Sequence, residues 1–203
     1  MYRYGIKRLL DIVVALLALP ILFLITPVVA VLIKLEDRGP VFYNAPRLGR
    51  NMVEFKMYKF RSMKVNAPDI RNKDGSTFNC EDDTRVTKTG KILRKTSIDE
   101  LPQLINVIKG DMSFVGPRPS PLGNKELYPK DYFKKFDIRP GITGYNQAVL
   151  RNKSTMDQRI KNDLFYVENE SLLLDIKILL LTFKSIMKFE NINRNDKKEK
   201  VDL

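Results

Sequence analysis

The sequence predicts an α+β protein that is mainly helical and is held to a membrane by its N-terminal segment. Three observations support this: an uncharged apolar run over 12–33, an alternating segment over 53–63 that predicts a small β element, and helical spacing in most of the remainder. A chain of 203 residues can hold a membrane segment and one domain of ordinary size. We therefore divide it into a membrane segment (1–36), a folded domain (37–189) and a charged tail (190–203) that we expect to be disordered.

Composition limits the chemistry that the chain can perform. It has no histidine and one cysteine, Cys80, which argues against a zinc site and excludes an intramolecular disulfide. A bound metal would be a hard cation with oxygen ligands, Mg²⁺ first. The 36 basic and 24 acidic residues give a net charge of +12, which implies an anionic partner. Charge alone does not choose among nucleic acid, lipid headgroups and phosphorylated metabolites.

The apolar run over 12–33 is long enough to cross a bilayer, which takes about 20 helical residues. It is too long for a secretory signal peptide, and no small-residue cleavage site follows it. Pro20 and Pro27 each remove a helical hydrogen bond, and the Thr26 hydroxyl could satisfy a freed carbonyl. Because both flanks are basic, the charge pattern fits either a kinked span or a helix–break–helix that returns to the same face. The basic flanking residues are Arg3, Lys7, Arg8, Lys34, Arg38, Arg47 and Arg50.

Downstream, the pattern alternates between short structured pieces and loops. Val53, Phe55 and Met57 fall on one side of a predicted strand, and the polar residues 64–85 predict a long loop. A basic helix is expected over 88–95.

A second helix is expected to begin at Ser97. Ser97 and Glu100 have the spacing of a capping box, and Gly110 marks the helix end. Its apolar stripe would consist of Leu101, Leu104, Ile105 and Ile108.

Two rigid turns and further helices follow. The turns are Gly116–Pro119 and Arg139–Gly144, in which proline and glycine restrict the position of an arginine. Helical spacing resumes beyond Asp157, and the stretch over 172–189 suits either a packed helix or an amphipathic helix in the membrane interface.

The adjacent carboxylates of Asp99 and Glu100 are the main candidates for chemistry. Near a helix start, peptide dipoles favour negative charge, so Asp99 should be ionised at neutral pH. An ionised carboxylate can attack phosphorus if a metal and arginines neutralise the phosphate charge. Arg94, Arg118 and Arg139 can each bind phosphate oxygens bidentately. These features indicate phosphoryl transfer at a membrane surface, although a plain helix cap and surface arginines explain the same residues one at a time.

A series of motifs then links the chain to a known family. The motifs occur in order along nearly the whole chain, from Arg8 to about Phe189, and are densest around Asp99. They are Lys7-Arg8 with Asp11, Thr26-Pro27, Arg47-Leu48-Gly49, Lys59-Phe60-Arg61-Ser62-Met63, Asp83-Thr84-Arg85-Val86-Thr87, Arg94, Ser97 to Leu104, Lys109 to Ser113, Gly116 to Pro119, Arg139 to Gly144, and Asp163 with Tyr166. In these segments the chain resembles the small monotopic phosphoglycosyl transferases of bacteria, also called bacterial sugar transferases.

The resemblance implies a Mg²⁺-dependent enzyme on the cytosolic face of the bacterial inner membrane. It implies a re-entrant membrane helix broken at Thr26-Pro27, and transfer of sugar 1-phosphate from a UDP-sugar to undecaprenyl phosphate with release of UMP. By the same resemblance, Asp99 is the nucleophile that forms a covalent phospho-sugar intermediate, and Glu100 assists by placing the metal or handling a proton. Lys59 lies in a matching segment and joins the three arginines as a candidate for binding substrate phosphate.

One segment departs from the family pattern. After Gly144 the family usually has Asn-Gly before an arginine, whereas this chain has Val149-Leu150 before Arg151. The chain therefore lacks a glycine turn at this point. The resemblance does not predict the local backbone conformation here, nor the preference for a sugar or nucleotide. The sequence does not identify the sugar or the glycan pathway.

Two competing functions remain open at this point. A membrane-anchored basic protein that binds nucleic acid or acts as an adaptor would explain the charge and the anchor without catalysis. Such a protein needs exposed aromatic residues between its basic residues, and the sequence does not show them. We therefore expect no nucleic-acid partner. A phosphotransferase without an enzyme adduct would use Asp99 only as a metal ligand.

Overall fold

The protein is mainly helical, with two small sheets, as the sequence predicts. The computed structural model describes residues 2–70, 72, 78, 80, 83–150 and 154–187. Helices and strands occur in the order α1 (Lys7–Asp37), β1 (Phe42–Leu48), β2 (Glu54–Phe60), α2 (Lys88–Thr96), α3 (Gln103–Lys109), β3 (Ser113–Val115), β4 (Gly141–Thr143), α4 (Tyr145–Leu150), α5 (Met156–Asn169) and α6 (Leu172–Met187). A π-helical turn, Tyr2–Ile6, precedes α1, and short 3-10 turns cover Arg50–Met52, Ile98–Glu100, Leu122–Leu127 and Lys130–Asp137.

Within the described residues, α1 is the one helix long and apolar enough to cross a membrane. Its 31 residues span about 46 Å. Most of its apolar side chains are exposed; Leu24, for example, retains 75% of its accessible surface.

The helix continues through Pro20 and Pro27 as one element, so the expected division into two helices is not seen and the re-entrant topology stays a prediction. The Thr26 hydroxyl donates to the carbonyl of Leu22 (2.7 Å), whereas the carbonyl that Pro27 leaves without its donor is that of Phe23.

One narrow face of α1 joins the protein core. Ala15, Leu22 and Val29 are buried at a spacing of seven residues, and Ile33 extends the line by one turn. They belong to a core cluster with Ala45, Met57, Phe60, Leu93, Leu104, Val107 and Met112. The face is buried because α3, α2 and β3 pack against it, and the rest of α1 remains exposed.

The polar start of α1 is fixed by three charged residues. Lys7 forms a buried ion pair with Asp175 of α6 and donates to the Tyr166 hydroxyl (3.1 Å). Arg8 donates to the carbonyls of α3, and Asp11 accepts hydrogen bonds at the start of β3. The motif before the apolar run therefore attaches α1 to the rest of the protein.

The predicted strand is confirmed as β2, which pairs antiparallel with β1 in the register Phe42 with Phe60. The sequence did not indicate β1, because Asn44 and Pro46 lower its strand propensity. Pro46 is tolerated because a strand of a two-stranded sheet leaves one edge unpaired. Of the three residues expected on one side, Met57 is buried, Phe55 is half-buried, and Val53 lies outside the strand and is exposed.

The two proline-glycine turns pack against each other. Gly116 follows β3, while β4 lies within the second turn and pairs parallel with β3. A Cβ on Gly141 would lie 2.1 Å from the Gly116 nitrogen and 2.2 Å from the Thr143 oxygen, so only glycine allows this approach.

The expected capping box at Ser97 is wrong. Ser97 has a left-handed backbone (φ 58°), ends α2, and makes no side-chain capping bond. The helix begins later, at Gln103, after the 3-10 turn Ile98–Glu100. A Ser-x-x-Glu spacing predicts a cap only if the Ser backbone is extended, and here the end of α2 imposes another conformation. In the expected stripe Leu104 is buried, but Ile105 is 40% exposed.

The other predicted helices are present. The basic helix over 88–95 is α2, and its N-cap is Thr87, whose side chain accepts from the Gly90 nitrogen (2.9 Å). A capping box does occur at the start of α5, between Thr155 and Gln158.

Helix α6 packs against the protein on one side, and its position in a membrane interface stays a prediction. Ile178 is fully buried, while Leu173 and Phe183 are 80% and 65% exposed.

Where the chain departs from the family pattern, residues 145–150 form α4, and Arg151 lies outside the described residues. The described residues between 64 and 85 carry no helix or strand, and the tail over 190–203 falls outside the description.

Candidate active site

Asp99 lies in the turn that connects α2 to α3 and is buried, with 8% of its surface exposed. Burial and the negative charge of Glu100 raise the pKa of Asp99 to about 6, while Lys59, Arg94 and Arg118 act in the opposite direction. A helix start would stabilise the ionised carboxylate and lower its pKa. The pKa of Asp99 is raised instead, because desolvation outweighs the backbone dipoles here. Since a pKa of about 6 is below 7, Asp99 is still mainly ionised at neutral pH.

Three cations from separate elements therefore face one buried carboxylate. Lys59 comes from β2, Arg94 from α2 and Arg118 from the turn after β3. The structure thus brings together five of the six residues for which the sequence predicted catalysis or phosphate binding: these three, Asp99 and Glu100.

Lys59 is near the end of β2, and its ammonium nitrogen lies 5.3 Å from the ring centroid of Tyr43, its partner residue on β1. Burial lowers the pKa of Lys59 to about 8, and the charges of Arg94 and Arg118 act in the same direction. An amine in such surroundings is held in place and has a less favourable charged state, which a phosphate group would stabilise.

Arg94 is oriented by the Ser62 hydroxyl, which accepts from its Nε (2.9 Å). Helix α2 reaches this position because Gly90 lies against the Ser62 backbone; a Cβ there would be 1.9 Å from the carbonyl oxygen. Burial lowers the pKa of Arg94, and the charges of Asp99 and Asp83 oppose that shift.

Arg118 is exposed and donates to a carboxylate oxygen of Glu100 (3.2 Å). The backbone of Arg118 is held by Lys135, whose buried ammonium donates to the Arg118 carbonyl (3.1 Å). Lys135 is held in turn by the Tyr132 hydroxyl (3.0 Å) and by Asp163 (3.6 Å). The exposed Arg118 guanidinium is therefore accessible to an incoming anion, which would compete with Glu100 for it.

Arg139 lies in a different place from the other candidates. Its Nε donates to the Gly110 carbonyl (2.9 Å), and its charged neighbours are Arg8, Arg50 and Asp11. The rigid turn predicted its fixed position but not its distance from Asp99, because the parallel pairing of β3 with β4 was not evident from the sequence.

The donor set is compatible with Mg²⁺. Nowhere in the described part of the chain do three or more His, Cys, Asp or Glu side chains cluster as a metal site. Mg²⁺ commonly takes one or two carboxylates and completes its shell with water and substrate phosphate oxygens, so Asp99 and Glu100 could supply the protein ligands.

Sequence reasoning missed the residues that position the cations. Ser62 belongs to the motif Lys59-Phe60-Arg61-Ser62-Met63, but its contact with Arg94 was not predicted. Lys135 and Tyr132 gave no motif signal, since a buried lysine cannot be told from a surface lysine by its neighbours in the sequence. The sequence assigns no role to Asp163, which pairs with Lys135 and accepts a hydrogen bond from the Tyr132 hydroxyl (2.5 Å).

Comparisons with known proteins point to one family. The model of the family described as bacterial sugar transferase matches residues 2–189. The galactosyl transferase CpsE of Streptococcus agalactiae is 43% identical over 201 residues, which cover 92% of this chain and 44% of CpsE. The uncharacterized sugar transferase EpsL of Bacillus subtilis is 38% identical over 191 residues, covering 94% of this chain and 92% of EpsL.

A third relative is named by its substrates. The UDP-glucose:undecaprenyl-phosphate glucose-1-phosphate transferase of Escherichia coli is 42% identical over 193 residues, covering 88% of this chain and 40% of that enzyme. The chain thus spans less than half of CpsE and of the E. coli enzyme, and most of EpsL.

Proposed function

Because the chain belongs to the bacterial sugar transferase family, we propose that it transfers sugar 1-phosphate from a UDP-sugar to undecaprenyl phosphate and releases UMP. The name of the E. coli relative supports this reaction class, since it specifies both the UDP-sugar donor and the polyprenyl acceptor. The structural observation that carries the proposal is the buried Asp99 with Lys59, Arg94 and Arg118 as its cationic neighbours. A basic adaptor protein would have no need for this arrangement.

In the proposed first step, a carboxylate oxygen of Asp99 attacks the phosphorus atom that carries the sugar. The bond between that phosphorus and the bridging oxygen breaks, and UMP leaves with the bridging oxygen and the electron pair. The product is a phosphodiester-like acyl phosphate that joins Asp99 to the sugar.

In the second step, a phosphate oxygen of undecaprenyl phosphate attacks the same phosphorus. The bond to Asp99 breaks, the carboxylate is restored, and the sugar leaves on a polyprenyl diphosphate. This product would begin the assembly of a surface glycan or glycoprotein.

The cations of the site bind and neutralise the phosphates in both steps. Arg94 and Arg118 can each contact two oxygens, and Lys59 adds a point charge. Mg²⁺, held by Asp99 and Glu100 when bound, would neutralise diphosphate charge and orient the donor. Glu100 also holds Arg118 in place until an anion competes for that guanidinium.

We place the reaction on the cytosolic face of the bacterial inner membrane, with α1 as the anchor. The exposed apolar surface of α1 and of α6 supports association with lipid. Both basic flanks of α1 are compatible with a re-entrant arrangement, in which the helix enters and leaves through the cytosolic leaflet.

Replacement of Asp99 by Asn tests the proposal. Asn keeps the size of the side chain but cannot form an acyl phosphate, so UMP release from a UDP-sugar should fall by roughly 10³-fold or more. Asp131→Asn makes the same change on an exposed aspartate and should retain activity. Near-normal UMP release by Asp99→Asn would rule out the nucleophile assignment.

A further inference from the structure

The last turn of α1 contacts the first turn of α2, the helix that carries Arg94. The first four backbone N–H groups of a helix have no partner within the helix. In α2, the Glu36 carboxylate accepts two of them, from the nitrogens of Lys88 (2.6 Å) and Thr89 (2.9 Å). The helix dipole also favours a negative charge at this position. Helix α1 therefore caps α2 with a carboxylate.

The other two N–H groups at the start of α2 have partners nearby. The Thr87 side chain accepts from the Gly90 nitrogen (2.9 Å), and the Thr87 nitrogen donates to the Ser62 carbonyl (3.2 Å). Two of the four donors thus depend on a residue of another helix. Loss of the Glu36 carboxylate would leave both without their protein acceptor and would weaken the first turn of α2.

The residue after Glu36 makes a second link. Asp37 pairs with Arg61, whose two terminal nitrogens each donate to one carboxylate oxygen at 2.5 Å. Arg61 is buried and also donates through Nε to the Pro40 carbonyl (2.5 Å). A contact of this kind at two points fixes the relative orientation of the two groups. The ion pair therefore ties the end of α1 to the chain just after β2.

Ser62, the next residue along the chain, contacts both ends of α2. Its carbonyl accepts from the backbone at the start of α2, and its hydroxyl accepts from Arg94 Nε (2.9 Å) in the last turn. The pair of Asp37 and Arg61 thus lies next to the residue that orients the Arg94 side chain. Glu36 holds the helix from which that side chain extends.

We propose that Glu36 and Asp37 are positioning residues, which set Arg94 for contact with substrate phosphate. The two carboxylates act through α2 and Ser62 and do not touch the substrate. The inference rests on the phosphate-binding role proposed above for Arg94. It adds that the end of α1 sets the geometry of the site, so a shift of α1 would move Arg94 with it.

Binding of UDP, which carries the diphosphate of the proposed donor, tests this role without turnover. Its apparent affinity is measured from the rise in the unfolding midpoint of the full chain in detergent with Mg²⁺. Glu36→Ala removes both acceptor oxygens and should weaken this affinity about fivefold. Glu36→Gln, which keeps the size of the side chain but not its charge, should fall between. Asp37→Asn should also weaken the affinity.

Glu168→Gln is the matched control, because it makes the same change on an exposed glutamate of α5, and it should bind UDP like the unchanged protein. A double-mutant cycle separates positioning from a general loss of structure. In an Arg94→Gln background, Glu36→Ala should cause little further loss, because the group through which Glu36 acts is already gone. Equal fold losses in both backgrounds would overturn the proposal.

Hydrogen exchange tests the contact between the helices directly. The amides of Lys88 and Thr89 should exchange about fivefold faster in Glu36→Ala than in the unchanged protein. Unchanged exchange at both amides would overturn the proposal. UDP binding by the unchanged protein that Glu36→Ala and Asp37→Asn leave intact would contradict the positioning role alone. Failure of the unchanged protein to bind UDP would contradict the transferase proposal as well.

Discussion

At the scale of single residues, Asp99 combines burial with a raised pKa, and our proposal uses this carboxylate as the nucleophile. Its carboxylate is buried next to Glu100, and its pKa is raised to about 6 from an ordinary value of 3.8. Three nearby cations keep that shift from being larger. An ionised, poorly solvated carboxylate is a better nucleophile toward phosphorus than one surrounded by water, but it makes the folded state less stable.

This cost predicts a pH-dependent effect of Asp99→Asn on folding. A raised pKa means that the folded state binds the proton more tightly than the unfolded state, so ionisation destabilises the fold above pH 6. A shift of about two units corresponds to up to roughly 3 kcal/mol. The Asn variant should therefore be more stable than the unchanged protein at pH 8, and the gain should shrink as pH falls from 6 to 4.

Chemical denaturation in detergent at pH 8, 6 and 4 measures this difference. For comparison, Asp131→Asn, an exposed change, should alter stability by about 0.5 kcal/mol or less at each pH. A destabilised Asp99→Asn variant at pH 8 would contradict the electrostatic description of the site.

At the scale of elements, the sheet of β3 and β4 brings the two proline-glycine turns together. Gly116 lies close to the backbones of both Gly141 and Gly144, and the turn after β3 carries Arg118. The glycines therefore allow the two turns to approach closely, while Arg118 and Arg139, one at each turn, have different charged neighbours.

Gly141→Ala should accordingly disturb both stability and activity. Its Cβ would meet backbone atoms at 2.1 and 2.2 Å, which must move apart, so we expect a loss of about 3 kcal/mol in unfolding free energy and reduced UMP release. Gly123→Ala is the matched control, because no heavy atom lies within 4 Å of its added Cβ. Equal behaviour of the two variants would show that β3 and β4 are not packed as described.

The same elements show what sequence reasoning could and could not predict. The uncharged apolar run identified α1, the alternation of apolar residues identified β2, and helical patterns identified α2 and α6. The sequence showed no comparable pattern for β1. Sequence reasoning therefore missed β1, whose pairing depends on its neighbour, and it misplaced the helix start at Ser97, where the end of α2 sets a left-handed backbone. The residue types at Asp99, Arg94 and Arg118 indicated phosphate chemistry, but the pKa direction of Asp99 and the separate location of Arg139 depend on tertiary burial and strand pairing.

At the scale of the whole molecule, α1 is part of the core and also exposes a long apolar surface. Its buried face packs in the core of the folded domain, while its remaining surface is apolar and exposed. Both helix ends carry basic residues, which leads to the prediction that both ends lie on the cytosolic side.

Cysteine labelling tests this topology. With Cys80 replaced by Ser, single cysteines at the exposed positions Gly5 and Arg38 should both resist a membrane-impermeant reagent in intact cells. Both should react once the cells are opened. Labelling of one position alone from outside would show a single span through the membrane.

The central claim is that Asp99 carries the sugar phosphate covalently, and mass spectrometry of the intact protein tests it most directly. The protein is mixed with a UDP-sugar and Mg²⁺ without a lipid acceptor, and the adducted peptide is then sequenced. We expect a mass increase of one sugar phosphate on Asp99, lost on addition of undecaprenyl phosphate and absent from Asp99→Asn. Formation of polyprenyl diphosphate sugar by a protein that never shows this adduct, or an adduct that persists in Asp99→Asn, would contradict the account.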